Sequence, residues 1–448
     1  MIMKNRSASA PRSIIALGLM GAVLTLSACS DDGKKSFVKG DRIPVLTYEQ
    51  DIQADASLAD VPVALPQPYV NKNWTHSGGV PTHAMHHLAI GDELKEMWSV
   101  DIGAGSTKYE RLAAAPVVHD GTVYVLDIKA NISAFNAETG QKLWTVELRP
   151  AVKEKSNVAY GGGVVYADGR VFVTTGYGLI FALDAQSGSE VWRENLDFPL
   201  RSVPTVADGR VIVLSQDNIL YALDAKNGDY LWDHVGIVED AGLLGSASPA
   251  IVGDAIIAGF SSGELTAFKA SNGMVLWQDA LSRTGRLTAL GTLNDIDGDP
   301  VVFRGRVYAL NHSGRMVAID IRSGERVWEN NVGGIYTPWI AGDYIFVVTV
   351  NSEIIAMSAI DGRVKWVSPL QRFMKASKRK GLIRWSGPVL AGDRLFVTSS
   401  HGYMLTVSPY TGEFLSGEKL KSGTVQSPIV ANNTLYVLTG DGKLTAYR

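Results

Sequence analysis

Few residues in this chain have the types and spacing to do chemistry. Asp295, Asp297 and Asp299 alternate through Leu293-Asn294-Asp295-Ile296-Asp297-Gly298-Asp299-Pro300, a density of carboxylates that could hold a divalent cation. An EF-hand loop needs glycine at its sixth position and an acid at its twelfth. Counted from Asp295, Gly298 is fourth and Arg306 is twelfth, so the run reads either as an Asp/Gly-rich turn or as an acidic interaction loop. His83, His86 and His87 lack a cysteine or acid at metal spacing, and Pro81 with Gly78-Gly79 opposes the helix that would align them; a solvated segment is expected there. Lys375, Lys378, Arg379, Lys380 and Arg384 form a basic stretch without interleaved aromatics. It reads as a solvated loop, or as an electrostatic contact with anionic lipid, peptidoglycan or an acidic partner. Leu243 and Leu244 lie between Gly242 and Gly245, apolar residues in a loop whose position follows no core periodicity. The chain has 1 cysteine, Cys29, so no disulfide can form within it. No catalytic constellation, metal site or cofactor emerges.

Cys29 draws attention to the N-terminus. Lys4, Arg6 and Arg12 form a basic region, and Ile14 to Leu26 is apolar apart from small residues and Thr25. This is the layout of a secretory signal, too short to span a bilayer comfortably. Leu26-Ser27-Ala28-Cys29 resembles the lipobox of bacterial lipoproteins, whose cysteine is diacylated and becomes the first mature residue. Ser30 differs from the aspartate that retains enteric lipoproteins in the inner membrane, so sorting to the outer membrane is expected, facing the periplasm. The organisation expected is a lipoprotein signal peptide over 1–28, a lipidated flexible tether over 29–73 and a folded domain over 74–448. Pro44, Pro62, Pro66 and Pro68 interrupt the tether, which as a coil would reach roughly 35 Å. Removing residues 30 to 70 is expected to leave melting nearly unchanged.

A formal net charge of −3 leaves no global footprint for nucleic acid. Beyond residue 100 the sequence repeats. Ala182-Leu183-Asp184-Ala185-Gln186-Ser187-Gly188 leads to Trp192, Ala222-Leu223-Asp224-Ala225-Lys226-Asn227-Gly228 to Trp232, and Ala318-Ile319-Asp320-Ile321-Arg322-Ser323-Gly324 to Trp328. Weaker copies place Gly140 before Trp144, Gly273 before Trp277 and Gly362 before Trp366; a seventh has Gly412 but Ser416 in place of the indole. Successive glycines lie 38 to 51 residues apart, the period of a four-stranded propeller blade. Most copies open on a proline (Pro116, Pro204, Pro249, Pro300, Pro338, Pro388, Pro428), which suits the start of an innermost strand. Turn residues and β-branched alternation follow, as in Asp208-Gly209-Arg210-Val211-Ile212-Val213-Leu214, and spell antiparallel hairpins. The last copy stops at Tyr447-Arg448 without an outer strand, whereas Leu94 to Val100 carries a Trp98 strand without a blade. The fold expected is all-β: an eight-bladed β-propeller of four-stranded antiparallel blades, its ring closed by N- and C-terminal strands.

These repeats resemble the tryptophan-docking repeats of the quinoprotein (PQQ-like) propeller superfamily. With the lipobox and tether, the chain resembles the BamB family, the propeller lipoproteins of the outer-membrane β-barrel assembly machinery. Leu293 to Val302 is similar to that family's Leu-Ser-Asp-Val-Asp-x-x-Pro-Val-Val loop, and the missing indole near Ser416 is shared. The resemblance implies a non-enzymatic scaffold that binds the periplasmic domains of the barrel insertase BamA and other assembly members, and unfolded outer-membrane proteins as possible clients. It implies partner contacts at Asp295, Asp297, Leu243 and Leu244; the place the family gives to an arginine holds Leu244. The alternatives are a glycan- or peptidoglycan-binding propeller and a PQQ-dependent dehydrogenase. Many of those dehydrogenases carry a vicinal disulfide, which one cysteine cannot make.

Overall fold

The computed structural model describes residues 52–108, 110–149, 161–237, 246–282, 294–424 and 426–448. Asp51–Arg448 forms one compact unit. Alternating apolar residues and Asp/Asn/Gly turns give short strands that pair only with their sequence neighbours. Blade 1 is Val117–His119, Thr122–Leu126, Asn131–Asn136 and Lys142–Glu147, in that hydrogen-bonded order. Blades 2 to 6 run from Gly162–Ala167 to Glu190–Asn195, Thr205–Ala207 to Tyr230–Val235, Ala250–Val252 to Val275–Ala280, Val301–Phe303 to Arg326–Asn330, and Trp339–Ala341 to Val364–Pro369. Blade 7 runs from Trp385–Ala391 to Phe414–Lys419.

Blade 8 is composite. Ile429–Ala431, Thr434–Thr439 and Lys443–Tyr447 are completed by Glu96–Asp101, with Trp98 opposite Ala446. Lys95 and Arg448 extend the ladder, exchanging backbone hydrogen bonds of 3.0 Å. The Glu96–Asp101 strand covers the edge that Lys443–Tyr447 would otherwise expose.

The blade tryptophans hold the ring together. Each indole N–H donates to a carbonyl in the following blade: Trp98 to Ala137, Trp144 to Ala185, Trp192 to Ala225, Trp232 to Ala270, Trp277 to Ile321, Trp328 to Ala359 and Trp366 to Pro409, all between 2.8 and 3.1 Å. The ring then lies on the turn glycine of that blade. At Gly228, φ is +82° and a Cβ would sit 2.8 Å from Trp192 Cε3, so the position excludes a side chain on both counts. Ser416 is explained by the same geometry. The following blade is the composite one, whose outer strand, Glu96–Asp101, does not follow its third strand, Lys443–Tyr447, in the chain. It has no hairpin turn for an indole to rest on.

The segment before blade 1 is a strap rather than a tether end. Residues 71–88 cross the inner end of all eight blades, largely through backbone groups. Asn71 meets Val430 and Asn432, Trp74 pairs with Val118, and Thr75 accepts from Tyr166. His76 bonds the Val206 carbonyl at 2.9 Å, and Pro81 and Thr82 accept from Ile251 and Val302. His86 accepts from the Trp339 indole, and Leu88 pairs with Leu390 and Gly392.

Two expectations are thereby corrected. Residues 52–73 are not free tether: Asp55 N–H donates to Val364 at 2.8 Å, Leu58 and Val63 are buried, and Tyr344 donates to the Pro62 carbonyl. The folded unit starts at Asp51, not residue 74, and only a truncation ending by residue 50 spares packed structure. His83 and His87 are not solvated; both are buried, with Nδ1 atoms 2.8 Å from the carbonyls of Pro300 and Pro66, and His86 is partly buried against Phe303. Ring nitrogens can bond a carbonyl while the ring fills apolar space, which suits a strap without regular structure. Burial lowers the His76 pKa to about 4, so it anchors the strap as neutral imidazole.

Candidate partner-binding site

Where the lead-in segments of the inner strands converge, they enclose a funnel of about 660 Å³. The strap forms its floor through Trp74, Ser77, Gly78 and His83, with Trp74 stacked on Trp339 at 6.2 Å. Its wall carries Lys108, Arg111, Arg201 and Arg384 against Asp297 and Asp299, with His312 and Tyr336 between them. Arg201, Asp297, Tyr336, Arg384 and Gln426 all stand two to four residues before a strand-opening proline. That offset is a signal in the sequence that places the arginines at the same register as Asp297.

The three aspartates have different roles. Asp299 is buried and structural: Oδ2 accepts from Ser77 Oγ at 2.5 Å, Oδ1 accepts from the Ser248 N–H at 2.7 Å, and its own N–H donates to Thr337 Oγ1 at 3.2 Å. It ties the strap to the lead-ins of blades 4, 5 and 6. Asp295 is only 2% exposed, so it is not the surface carboxylate that a direct contact would require. Asp297 lines the funnel, and its Oδ1 accepts no hydrogen bond. Burial first, and then the neighbouring Asp295 charge, push its pKa up to about 7, while Arg201 opposes the shift. A buried carboxylate oxygen without a donor is costly, and a donor brought in by a partner would relieve it.

Leu243 and Leu244 lie outside the described residues, as does Cys29. Chain on either side of the leucines is described: Ile237 is exposed at the rim of blade 3, and Ser246 lines the funnel. The lead-ins before Pro249 and Pro300 do meet, through the Ser248–Asp299 bond. Among the described residues no group of three or more His, Cys, Asp or Glu side chains could hold a metal ion. No described helix is long and apolar enough to cross a membrane.

The profile of the family described as Outer membrane protein assembly factor BamB matches residues 71–160, 129–368 and 372–448. The chain belongs to the BamB family. A relative from Salmonella typhimurium, named Outer membrane protein assembly factor BamB, is 33% identical over 356 residues, covering 78% of this chain and 88% of that protein. The crystal structure of BamB from Moraxella catarrhalis superposes with a TM-score of 0.68 at 19% identity, covering 80% of this chain and all of that one. Quinohemoprotein alcohol dehydrogenase from Comamonas testosteroni also superposes, with a TM-score of 0.62 at 14% identity over 84% of this chain and 80% of that one. At those identities the structural likenesses speak for the fold alone. The BamB blades and the dehydrogenase blades are one architecture, so the fold does not by itself say what the chain does.

Proposed function

We propose that this chain is a non-enzymatic scaffold of outer-membrane protein assembly, tethered to the outer membrane through acylated Cys29 and facing the periplasm. Its funnel face would receive the periplasmic domains of the barrel insertase BamA. The observation that carries this reading is Asp297, a half-buried carboxylate lining the funnel, one of whose oxygens is buried without a donor, in a loop tied to the lead-in of blade 4 by the Ser248–Asp299 bond. A lysine or arginine from the partner would pair with that carboxylate. Few residues of such an interface carry most of its energy. Burial first, and the Asp295 charge second, raise the affinity of Asp297 for a proton, and a partner cation would oppose both.

Crosslinking in cells followed by purification of this chain tests the reading. Recovery of the insertase, reduced severalfold by Asp297→Ala in a protein that melts normally, is the expected result. Retention on the peptidoglycan sacculus with no insertase recovered would replace it with the glycan-binding alternative. Mass spectrometry of the mature protein tests the anchor separately, where an unmodified Cys29 thiol would overturn it.

A further inference from the structure

Between blades 6 and 7 the chain leaves the ring and forms a two-stranded hairpin, Phe373–Lys375 paired with Lys380–Leu382, whose connection holds a short 3-10 turn at Ala376–Lys378. A lone hairpin is marginal in water, and this one is fixed at its base. Ile383 is buried, its N–H donates to Arg372 O at 2.9 Å, and the buried Trp385 indole donates to Gln371 O at 2.8 Å.

Its charge is one-sided. No Asp or Glu occurs between Asp361 and Asp393, and Arg372, Lys375, Lys378, Arg379 and Lys380 fall within that interval. The chain as a whole carries a net −3. Among the described residues Lys375, Lys378, Arg379 and Lys380 form no ion pair. Lys375 stands directly opposite Lys380, an arrangement that destabilises a strand pair unless an anion lies between the charges. The same hairpin exposes apolar side chains, Met374 at 47% and Leu382 at 53%. Cations interleaved with exposed apolar groups on one projecting element suit an anionic bilayer surface, where the charges meet headgroup phosphates and the apolar groups enter the acyl boundary. An acidic protein patch would leave Met374 and Leu382 unused.

The position of the hairpin also fits. The N-terminal segment packs at Asp55 against Val364, the first residue of the outer strand that ends at Pro369, shortly before the hairpin. That strand spans roughly 20 Å, and the 26 residues from Cys29 to Asp55 reach at most about 90 Å. An anchor at Cys29 therefore leaves the hairpin free to touch the same leaflet. We propose that the Phe373–Leu382 hairpin is a second membrane contact, a docking element for anionic phospholipid headgroups. It rests on the lipoprotein reading above only for which membrane is near; its chemistry is the hairpin's own.

The test uses residues 30–448 exported behind a cleavable non-lipoprotein signal peptide, and so unacylated, so that failure of the hairpin and failure of the anchor are read apart. Flotation with phosphatidylglycerol–phosphatidylethanolamine vesicles should recover this chain, phosphatidylcholine vesicles should not, and raising salt should release it. Each Lys or Arg near an anionic leaflet is worth about a fivefold factor, so replacing Lys375, Lys378, Arg379 and Lys380 by serine should weaken binding at least about a hundredfold. The pair Met374→Ser and Leu382→Ser should weaken it severalfold with the charges intact. A dye on Ser377→Cys, then the only thiol, should shift to the blue on anionic vesicles alone. Equal flotation with both lipids, or unchanged flotation of the charge variant, overturns the proposal. So does a folded chain that ignores anionic vesicles while Ser377→Cys crosslinks to a protein, which would assign the hairpin to an acidic partner.

Discussion

The rim of this propeller and its axis are built on opposite terms. At the rim seven junctions repeat one contact, an indole N–H to a carbonyl with the ring over a glycine, and every polar atom of that contact is satisfied. At the axis the lead-ins carry charges of both signs, Arg111, Arg201 and Arg384 with Asp297 and Asp299, and Asp297 leaves a carboxylate oxygen without a donor. Repetition makes the ring stable, and the proposed partner surface lies where the repeat is broken. Stability and binding should therefore respond to mutation with different signs in the two regions.

The largest effect should come from cutting the seam. Deleting residues through Val100 removes the strap and most of the strand that completes blade 8, and should abolish cooperative melting. Deleting residues 30 to 50 spares the compact unit and should leave the melting temperature unchanged; equal melting of the two truncations would reject terminal closure. At the rim, Trp192→Ala should cost about 3–5 kcal/mol in denaturant unfolding. Ser416→Trp should gain nothing, because no turn follows it; a stabilised Ser416→Trp would overturn that explanation.

Glycine substitutions sharpen the comparison at smaller magnitude. A Cβ at Gly209 meets nothing within 4 Å, whereas one at Gly228 meets the Trp192 ring. Both have positive φ, so Gly209→Ala reports backbone strain alone, about 1 kcal/mol. Gly228→Ala should cost clearly more, and equal losses would mean that ring contact is not what fixes the glycine.

Asp297 should behave in the opposite sense to the rim residues. Its folded pKa is raised from 3.8 to about 7, so the folded state binds the proton more tightly than the unfolded chain does. Stability from this group is present below about pH 4 and is lost as pH rises towards 7. Asp297→Asn should remove that dependence and, near pH 8, stabilise the protein by on the order of 2 kcal/mol once partial exposure is allowed for. The same variant should bind the insertase less well. Melting curves of both proteins across that pH range would sink the assignment if they stayed parallel.

The rim was readable from the sequence because each of its contacts has a local signature. The Asp-x-x-x-Gly turn fixes a left-handed residue, the alternation fixes the strand face, and the indole follows at a set distance. Even the seam was readable, since a strand without a blade and a blade without a strand stand at opposite ends of the chain. The acidic loop was only half readable. Its spacing sets Asp295, Asp297 and Asp299 at alternate positions but does not say which carboxylate is buried, which is bonded and which faces the funnel.

What the sequence determined by itself was the repeating unit, the number of blades and the closure, because strand pairing between neighbours depends on short-range patterns of turn and side chain. Tertiary structure alone decided the axis. The strap at residues 71–88 bonds mainly to backbone carbonyls and amides of the inner strands, and every residue has those, so no pattern of residue types announces the contact. His83 and His87 read as solvated for the same reason: their partners are the carbonyls of Pro300 and Pro66. Arg201, Asp297 and Arg384 share a funnel only because the closed ring carries lead-ins far apart in the chain to one axis. The basic hairpin was visible as charge, but its paired strands, its unpartnered lysines and its exposed Met374 and Leu382 became visible only once the ring had closed and left it outside.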